Sequence, residues 1–250
     1  MSGHSKWAGI KHKKAIVDAQ RGKAFTKVVR EIMVAAKHGG GNPDGNPRLR
    51  LAMTKAREVN LPKDRIEQAI KKGTGELPGV SYEEAVFEGY GPGGVALLVE
   101  ALTDNKNRTS AEVRNIFTKR NGNLAGAGSV SWLFQRKGYL LVPALATDEE
   151  RLLSVVLDRG AEDVAREGES FAITTDAQHF EEVKQALADA KIPTESADLT
   201  MIPQNTVRVT GNDAAQVLAL AEALEEHDDV QHVYANFDIP DEMLKAVAER

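Results

Sequence analysis

Apolar residues recur at helical spacing through residues 21–75. Phe25, Val28, Val29, Ile32 and Ala36 fall on one stripe, while Lys23, Lys27, Arg30 and Lys37 lie mostly off it. The run "GGG" at 39–41 stops this first helix. Asn46 followed by Pro47 reads as an N-cap and a first helical residue, with Leu49, Met53, Ala56 and Val59 as the apolar face of a second helix. Pro62 opens a third, which Ile66, Ala69 and Ile70 pack and Gly73 ends. Three short helices joined by small loops predict a helical head, followed by a linker at "GTGELPGVS".

Beyond residue 80 the periodicity changes to a mixture of strands and helices. "AVFEGYGPGGVALLVEAL" reads as two strands joined at Gly91–Gly94. Ser81 and Glu84 also fit a capping box, but Val86, Phe87 and Tyr90 favour a strand. Thr109 and Glu112 form a second capping-box pattern, opening a helix that carries Val113, Ile116 and Phe117. "GSVSWLF" at 128–134 is expected to be a strand. Residues 137–203 then run strand "GYLLV", a helix at about 148–158 capped by Thr147 or Asp148, strands "AEDVARE" and "SFAITT", a helix at about 177–189 and strand "ESADLTMI". That order, βαββαβ, is ferredoxin-like. "NTVRVT", a helix at 213–226 and "VQHVYANF" form a last βαβ, which has no partner unless it joins the elements of 82–134.

The predicted fold class is therefore α+β: a three-helix N-terminal head followed by two α/β-sandwich domains, one ferredoxin-like and inserted in the other. The expected domains are 1–78 (basic arm and head), 79–136 plus 204–240 (a discontinuous middle domain), 137–203 (the insert) and 241–250 (a helix-like tail).

Charge changes what this layout implies. The net charge is -5, yet residues 1–75 hold 17 basic against 6 acidic groups, and residues 139–250 hold 8 against 24. A molecule so polarised presents its head to a polyanion and turns its remainder away. Phosphate binding is the chemistry that suits the arm residues His4, Lys6, Trp7, Lys11, His12, Lys13, Lys14 and Arg21. Lys23, Lys27, Arg48, Arg50, Lys55 and Arg57 continue it along the helices, with Lys63, Arg65, Lys71 and Lys72 beside them. Trp7 offers a stacking surface for an unpaired base. The competing reading is a solvated basic run with Trp7 tucked into the head. "TDNKNRT" at 103–109 suggests a secondary anion site from Lys106, Arg108 and Arg114 at a helix start, with a plain polar loop as its alternative. Lys119 and Arg120 extend that basic track.

Other chemistry finds little support. With no cysteine there is no thiolate metal site or disulfide framework, and the histidines lack metal-ligand spacing. "GYGPGG" matches neither a P-loop nor a dinucleotide fingerprint. Adjacent acidic pairs such as Glu149–Glu150 diverge on a helix and make no catalytic dyad. No apolar run reaches the roughly 18 residues of a membrane span. The amino terminus lacks the apolar core of a secretory signal, and Trp7 and the glycines interrupt any amphipathic transit helix. The expectation is a cytoplasmic, monomeric, non-enzymatic protein without cofactor, metal or membrane contact.

"GHSKWAGIKHKKAIVDAQRGKAFTKVVREI", "NPRLRLAM", "FEGYGPGGVALLVEALTDNKNRTSAEVRNIF", "GSVSWLF", "MIP" and "DDVQHVYANF" closely resemble the YebC/PmpR family, and the likeness runs through nearly the whole chain. That family includes the mitochondrial translational activator of cytochrome oxidase subunit one. Gly9 stands where the family pattern has Asn, and Gly122-Asn123 with Ala125 departs slightly from "GGNLG". The resemblance implies a three-domain α+β protein that acts as a cytoplasmic DNA-binding transcriptional regulator. Some members instead resemble translation factors that act on the ribosome where proline runs slow synthesis. The head shows no helix-turn-helix with base-reading residues at a helix start, which favours phosphate and shape contact over base reading. The implied partner is thus DNA or ribosomal RNA.

Overall fold

The computed structural model describes the backbone of residues 18–240 and the side chains of residues 22–240. The head is three helices: α1 (Asp18–Gly39), α2 (Pro47–Glu58) and α3 (Lys63–Thr74). Asn46 joins the first two. Its side-chain oxygen accepts from Leu49 N at 3.0 Å, and its Nδ2 donates to Ala35 O at 2.8 Å and Gly40 O at 2.9 Å. One residue thereby satisfies orphan groups at the end of α1 and the start of α2. Ile32, Met33, Ala35, Leu49, Ala52, Ala56, Leu61, Ile66 and Ala69 form the head's core.

α1 begins four residues before the expected Gly22, and α3 does not stop at Gly73. α3 ends instead at Gly75, whose φ of 82° is the left-handed cap conformation. Gly73 has another task. A Cβ there would lie 2.4 Å from Met33 O and 2.8 Å from Ala36 Cβ, so the missing side chain lets α3 close onto α1. Gly73→Ala is expected to destabilise the protein by about 1–3 kcal/mol through overpacking, despite alanine's better helix propensity. Denaturant unfolding checks this, and a gain in stability would show that the helices separate freely.

β1 (Glu83–Tyr90) and β2 (Ala96–Thr103) pair antiparallel across the expected turn, where Gly93 and Gly94 take φ of 71° and 75°. α4 (Lys106–Lys119) follows, then the short β3 (Asn123–Leu124) against β1. The N-cap of α4 is Asn105, which accepts from Arg108 N at 3.1 Å, and not Thr109. Thr109 is fully buried one turn in, and its hydroxyl is engaged by Thr103 and Asp229.

Residues 128–133 are not a strand. They form a turn and a short 3-10 turn at Ser131–Leu133. The cause is the buried carboxylate of Glu88, which accepts from Gly128 N at 2.8 Å, Val130 N at 2.6 Å and Ser131 N at 2.8 Å. Donors drawn to one side chain cannot enter a ladder. Burial pushes this carboxyl up, and the three backbone donors outweigh it and hold it below the usual glutamate range.

The inserted segment is ferredoxin-like. β4 (Phe134–Pro143), α5 (Glu149–Val156), β5 (Ala161–Glu167), β6 (Ser170–Asp176), α6 (Phe180–Asp189) and β7 (Ser196–Pro203) make an antiparallel sheet of order β5-β6-β4-β7. Asp148 is the cap of α5, accepting from Arg151 N at 2.8 Å. α6 starts at Phe180, later than expected, because Asp176 takes the backbone N–H groups of Gln178 and His179 in a turn. Leu140, Val142, Leu152, Val156, Phe171, Ile173, Phe180 and Val183 lie in its own core. Trp132–Asn205 is one compact unit, and the flanking segments form the other.

The chain then returns to the first unit. α7 (Gly211–Glu225) packs beside α4 on one face of the sheet, and β9 (Val230–Ala235) pairs with β2, giving the order β3-β1-β2-β9. β8 (Val207–Arg208) does not join that sheet as the βαβ reading required. It pairs in parallel with β10 (Phe237–Asp238), because β9 already occupies the β2 edge. The expected tail, 241–250, lies outside the described residues.

Candidate nucleic-acid interface

Three cations at helical spacing on α1 meet the carboxyl end of α7. Lys23 Nζ donates to Glu226 O at 3.3 Å, Lys27 Nζ to Glu225 O at 2.8 Å, and Arg30 Nη1 to Asp228 O. The last carbonyls of a helix lack intrahelical donors and carry its negative dipole end, so a row of cations suits them. Lys23 and Lys27, expected to hold phosphate, therefore have partners within the chain. Their spacing was legible in the sequence; the carbonyls they meet, some 200 residues on, were not.

Below this row sits Asp229, 2 % exposed. Its carboxylate accepts from Arg30 Nη1 at 3.0 Å, Arg108 Nη2 at 2.5 Å and Thr109 Oγ1 at 2.7 Å. Burial pushes the carboxyl up, but the bonds from Thr109 and Arg108 and the charges of both arginines hold it below the usual range. The Arg30 guanidinium also lies 5.1 Å from the Tyr82 ring centroid, within cation–π range. In the sequence Asp229 is only the second of two adjacent acids, Asp228 and Asp229. No local pattern marks a carboxylate whose partners lie at residues 30 and 108.

The other expected contacts divide in the same way. Arg48 bridges Glu31 at 2.9 Å and Glu84 at 2.5 Å. Burial lowers its affinity for a proton, and the two carboxylates more than restore it. Arg50 Nη1 donates to Pro43 O at 3.1 Å and Asp44 O at 3.4 Å, closing the turn before α2. Lys55 is half-buried. Lys106 lies 3.3 Å from Glu83, and Arg108 also meets Asp104 at 3.0 Å. The secondary anion site does not assemble as three open cations, since carboxylates already occupy two of them.

What stays open is another set. Arg57, Lys63, Arg65, Lys71 and Lys72 on α2 and α3, with Arg114, Lys119 and Arg120 at α4, are exposed, and their side chains form no ion pair or hydrogen bond among the described residues. The side chain of Arg21, and all of His4, Lys6, Trp7, Lys11, His12, Lys13 and Lys14, lie outside the described residues.

Glu112, His227 and Asp229 place one potential metal-ligand atom each within 4.8 Å of one another. The chemistry of this trio is that of an ion-pair network. His227 Nδ1 accepts from Asp229 N at 3.1 Å, its Nε2 faces Glu112 Oε2 at 2.8 Å, and two guanidiniums already neutralise Asp229. His179 and Asp176 form a half-buried pair at 2.6 Å; the carboxylate raises the imidazole's proton affinity, and the His179 backbone N–H and ring together hold the Asp176 carboxyl below the usual range. The hydroxyl bonded to the trio, that of Thr109, is fully buried and donates to Asp229.

Comparison with known proteins follows the same division of the chain. Residues 5–76 match the model of the TACO1/YebC protein N-terminal domain, and residues 82–237 match that of the TACO1/YebC second and third domain. A protein of Geobacter sulfurreducens is 58 % identical over 245 residues, covering 98 % of this chain and 99 % of its own. One of Dictyoglomus turgidum is 54 % identical over 249 residues, covering 99 % and 100 %. Both are named probable transcriptional regulatory proteins. The crystal structure of a conserved hypothetical protein from Aquifex aeolicus superposes with a TM-score of 0.84 at 53 % identity, covering 94 % of this chain and 97 % of that one.

Proposed function

Since the chain belongs to the TACO1/YebC family, whose similar members are named as probable transcriptional regulators, we propose that it regulates gene expression by holding the phosphate backbone of a nucleic acid. It does so as a cytoplasmic monomer without catalysis or cofactor. The names of the relatives favour DNA. The lack of a base-reading helix in the head favours RNA, including ribosomal RNA in a translation role.

The observation that carries this reading is how the cations are distributed. Residues 1–75 hold 17 basic groups against 6 acidic, and Arg57, Lys63, Arg65, Lys71 and Lys72 have no internal partner among the described residues. A structural basic surface pairs with its own carboxylates, as Arg48 does. An unpaired one sheds condensed counterions when it meets a polyphosphate. The acidic remainder of the chain faces proteins or sets the approach angle.

Salt dependence tests it. Contact with about six phosphates gives a log–log slope of affinity against salt near -5 on B-DNA. Lys11, Lys13 and Lys14 replaced together by Ala should weaken binding whatever the sequence, and should flatten the slope by roughly 2 to 3. Equal affinity and slope in that variant would remove the arm from the interface, and no retention of DNA or RNA at physiological salt would remove the function. Incubation with labelled DNA and RNA plus magnesium should leave both polymers intact, and a cleaved product would overturn the non-enzymatic reading.

A further inference from the structure

We propose that the outward face of α4 is a second docking surface, and that its occupant is A-form RNA held through ribose 2′-hydroxyls and flanking phosphates. This rests on the nucleic-acid reading above and takes its RNA branch.

The face is defined by Asn107, Ser110, Ala111, Arg114, Asn115 and Thr118, which line an open concavity of about 440 Å³. Their spacing puts them on one side of the helix along about 16 Å. The opposite side is anchored. Thr109, Val113 and Phe117 are fully buried, and Thr109 is bonded to Asp229, so the face sits on a rigid support.

The chemistry of the face is selective. Asn107 and Asn115 are exposed and Ser110 is half-buried, and the three side chains have no partner among the described residues. Each both donates and accepts hydrogen bonds. The exposed Thr118 hydroxyl already donates to Arg114 O at 2.9 Å, which leaves its oxygen as an acceptor. A 2′-hydroxyl also donates and accepts, whereas a phosphate only accepts. Arg114, Lys119 and Arg120 supply unpaired positive charge within and beside the stripe. The one acid of α4, Glu112, lies off the stripe against His227 and Arg108. No aromatic residue lies on the face, so it is not a platform for unstacked bases.

Shape decides between the polymers. α4 lies flat beside α7, joined through Asn121 Nδ2 to Gln216 Oε1 at 3.3 Å and through the shared core. Reading a DNA major groove would require sinking α4 below α7, which packs beside it in the shared core. The wide, shallow minor groove of A-form RNA requires no such insertion.

The test uses the full chain and two probes of one sequence, a 16-base-pair RNA hairpin and the corresponding DNA hairpin. Asn107, Ser110 and Asn115 replaced together by Ala should weaken RNA binding at least tenfold while DNA binding stays within twofold. Arg114→Glu should weaken RNA binding in a salt-dependent way. Unchanged melting temperatures are expected, since the altered residues are not part of the core. Undiminished RNA binding in both variants, or an equal loss on RNA and DNA, would overturn the proposal. If the unaltered protein retains neither hairpin at physiological salt, the nucleic-acid function itself fails. If it retains RNA and only substitutions in the head weaken the complex, the α4 surface alone is wrong.

Discussion

Asp229→Asn is expected to lower the stability of the unit containing the head by about 3–5 kcal/mol, the range for breaking a buried ion pair by removing one partner. The carboxylate neutralises two guanidiniums and accepts a buried hydroxyl, and asparagine keeps the volume while losing the charge. The loss falls unevenly. The Arg108 side chain is 45 % exposed, so water covers much of its deficit, while that of Arg30 is 13 % exposed and its Nε already lacks a hydrogen-bond partner among the described residues. Urea unfolding followed by a probe in the head reads the effect directly. A double-mutant cycle with Arg30→Met separates the pair from the rest, because removing the second partner relieves the guanidinium left unpaired by the first change. A change below about 1 kcal/mol would mean that the pair behaves like a solvent-screened surface bridge.

The same carboxylate sets a pH dependence. Asp229 and Glu88 are both held below the ordinary carboxyl range in the folded protein. Their stabilisation is therefore complete above the unfolded values of about 4, and is lost as pH falls through the depressed folded ones. Acid unfolding should be shallower in Asp229→Asn than in the parent, since one of the linked protons is gone.

Where local pattern suffices, the fold was readable in advance. Asn46-Pro47, the Gly91–Gly94 turn and the alternating cycle from 137 to 203 each carry their own cause, and each element formed. The misreadings share a different cause. "GSVSWLF" has strand-favouring residues, but Glu88, about 40 positions earlier, takes its backbone donors. Thr109 has the spacing of a capping box, but its hydroxyl serves Asp229, 120 positions later. At Lys23 and Lys27 the polar helix stripe expected to hold phosphate also meets carbonyls at the end of α7, which the sequence does not show. Charge and periodicity locate a basic surface; the tertiary partners decide which of its cations are available.

That distinction yields the sharpest expected result. Replacing Lys63, Arg65, Lys71 and Lys72 together by Gln should weaken nucleic-acid binding by about three orders of magnitude near 0.1 M salt, and flatten the log–log slope by roughly 3 to 4. These side chains are exposed and have no internal partner among the described residues, so stability should stay near the parent's. Lys23 and Lys27 replaced by Gln should give the reverse. They donate to the last carbonyls of α7, so stability falls by roughly 1 kcal/mol, while the salt slope of the folded protein is kept. Filter binding over a salt series, with unfolding curves for each variant, resolves both quantities. If the quadruple variant binds as tightly as the parent and the Lys23/Lys27 variant does not, then α1 opens from α7 on binding, and the phosphate surface is the one now turned inward. Opening would break three cation–carbonyl contacts, so it would also show as a temperature-dependent association rate, which a preformed α2–α3 surface does not require.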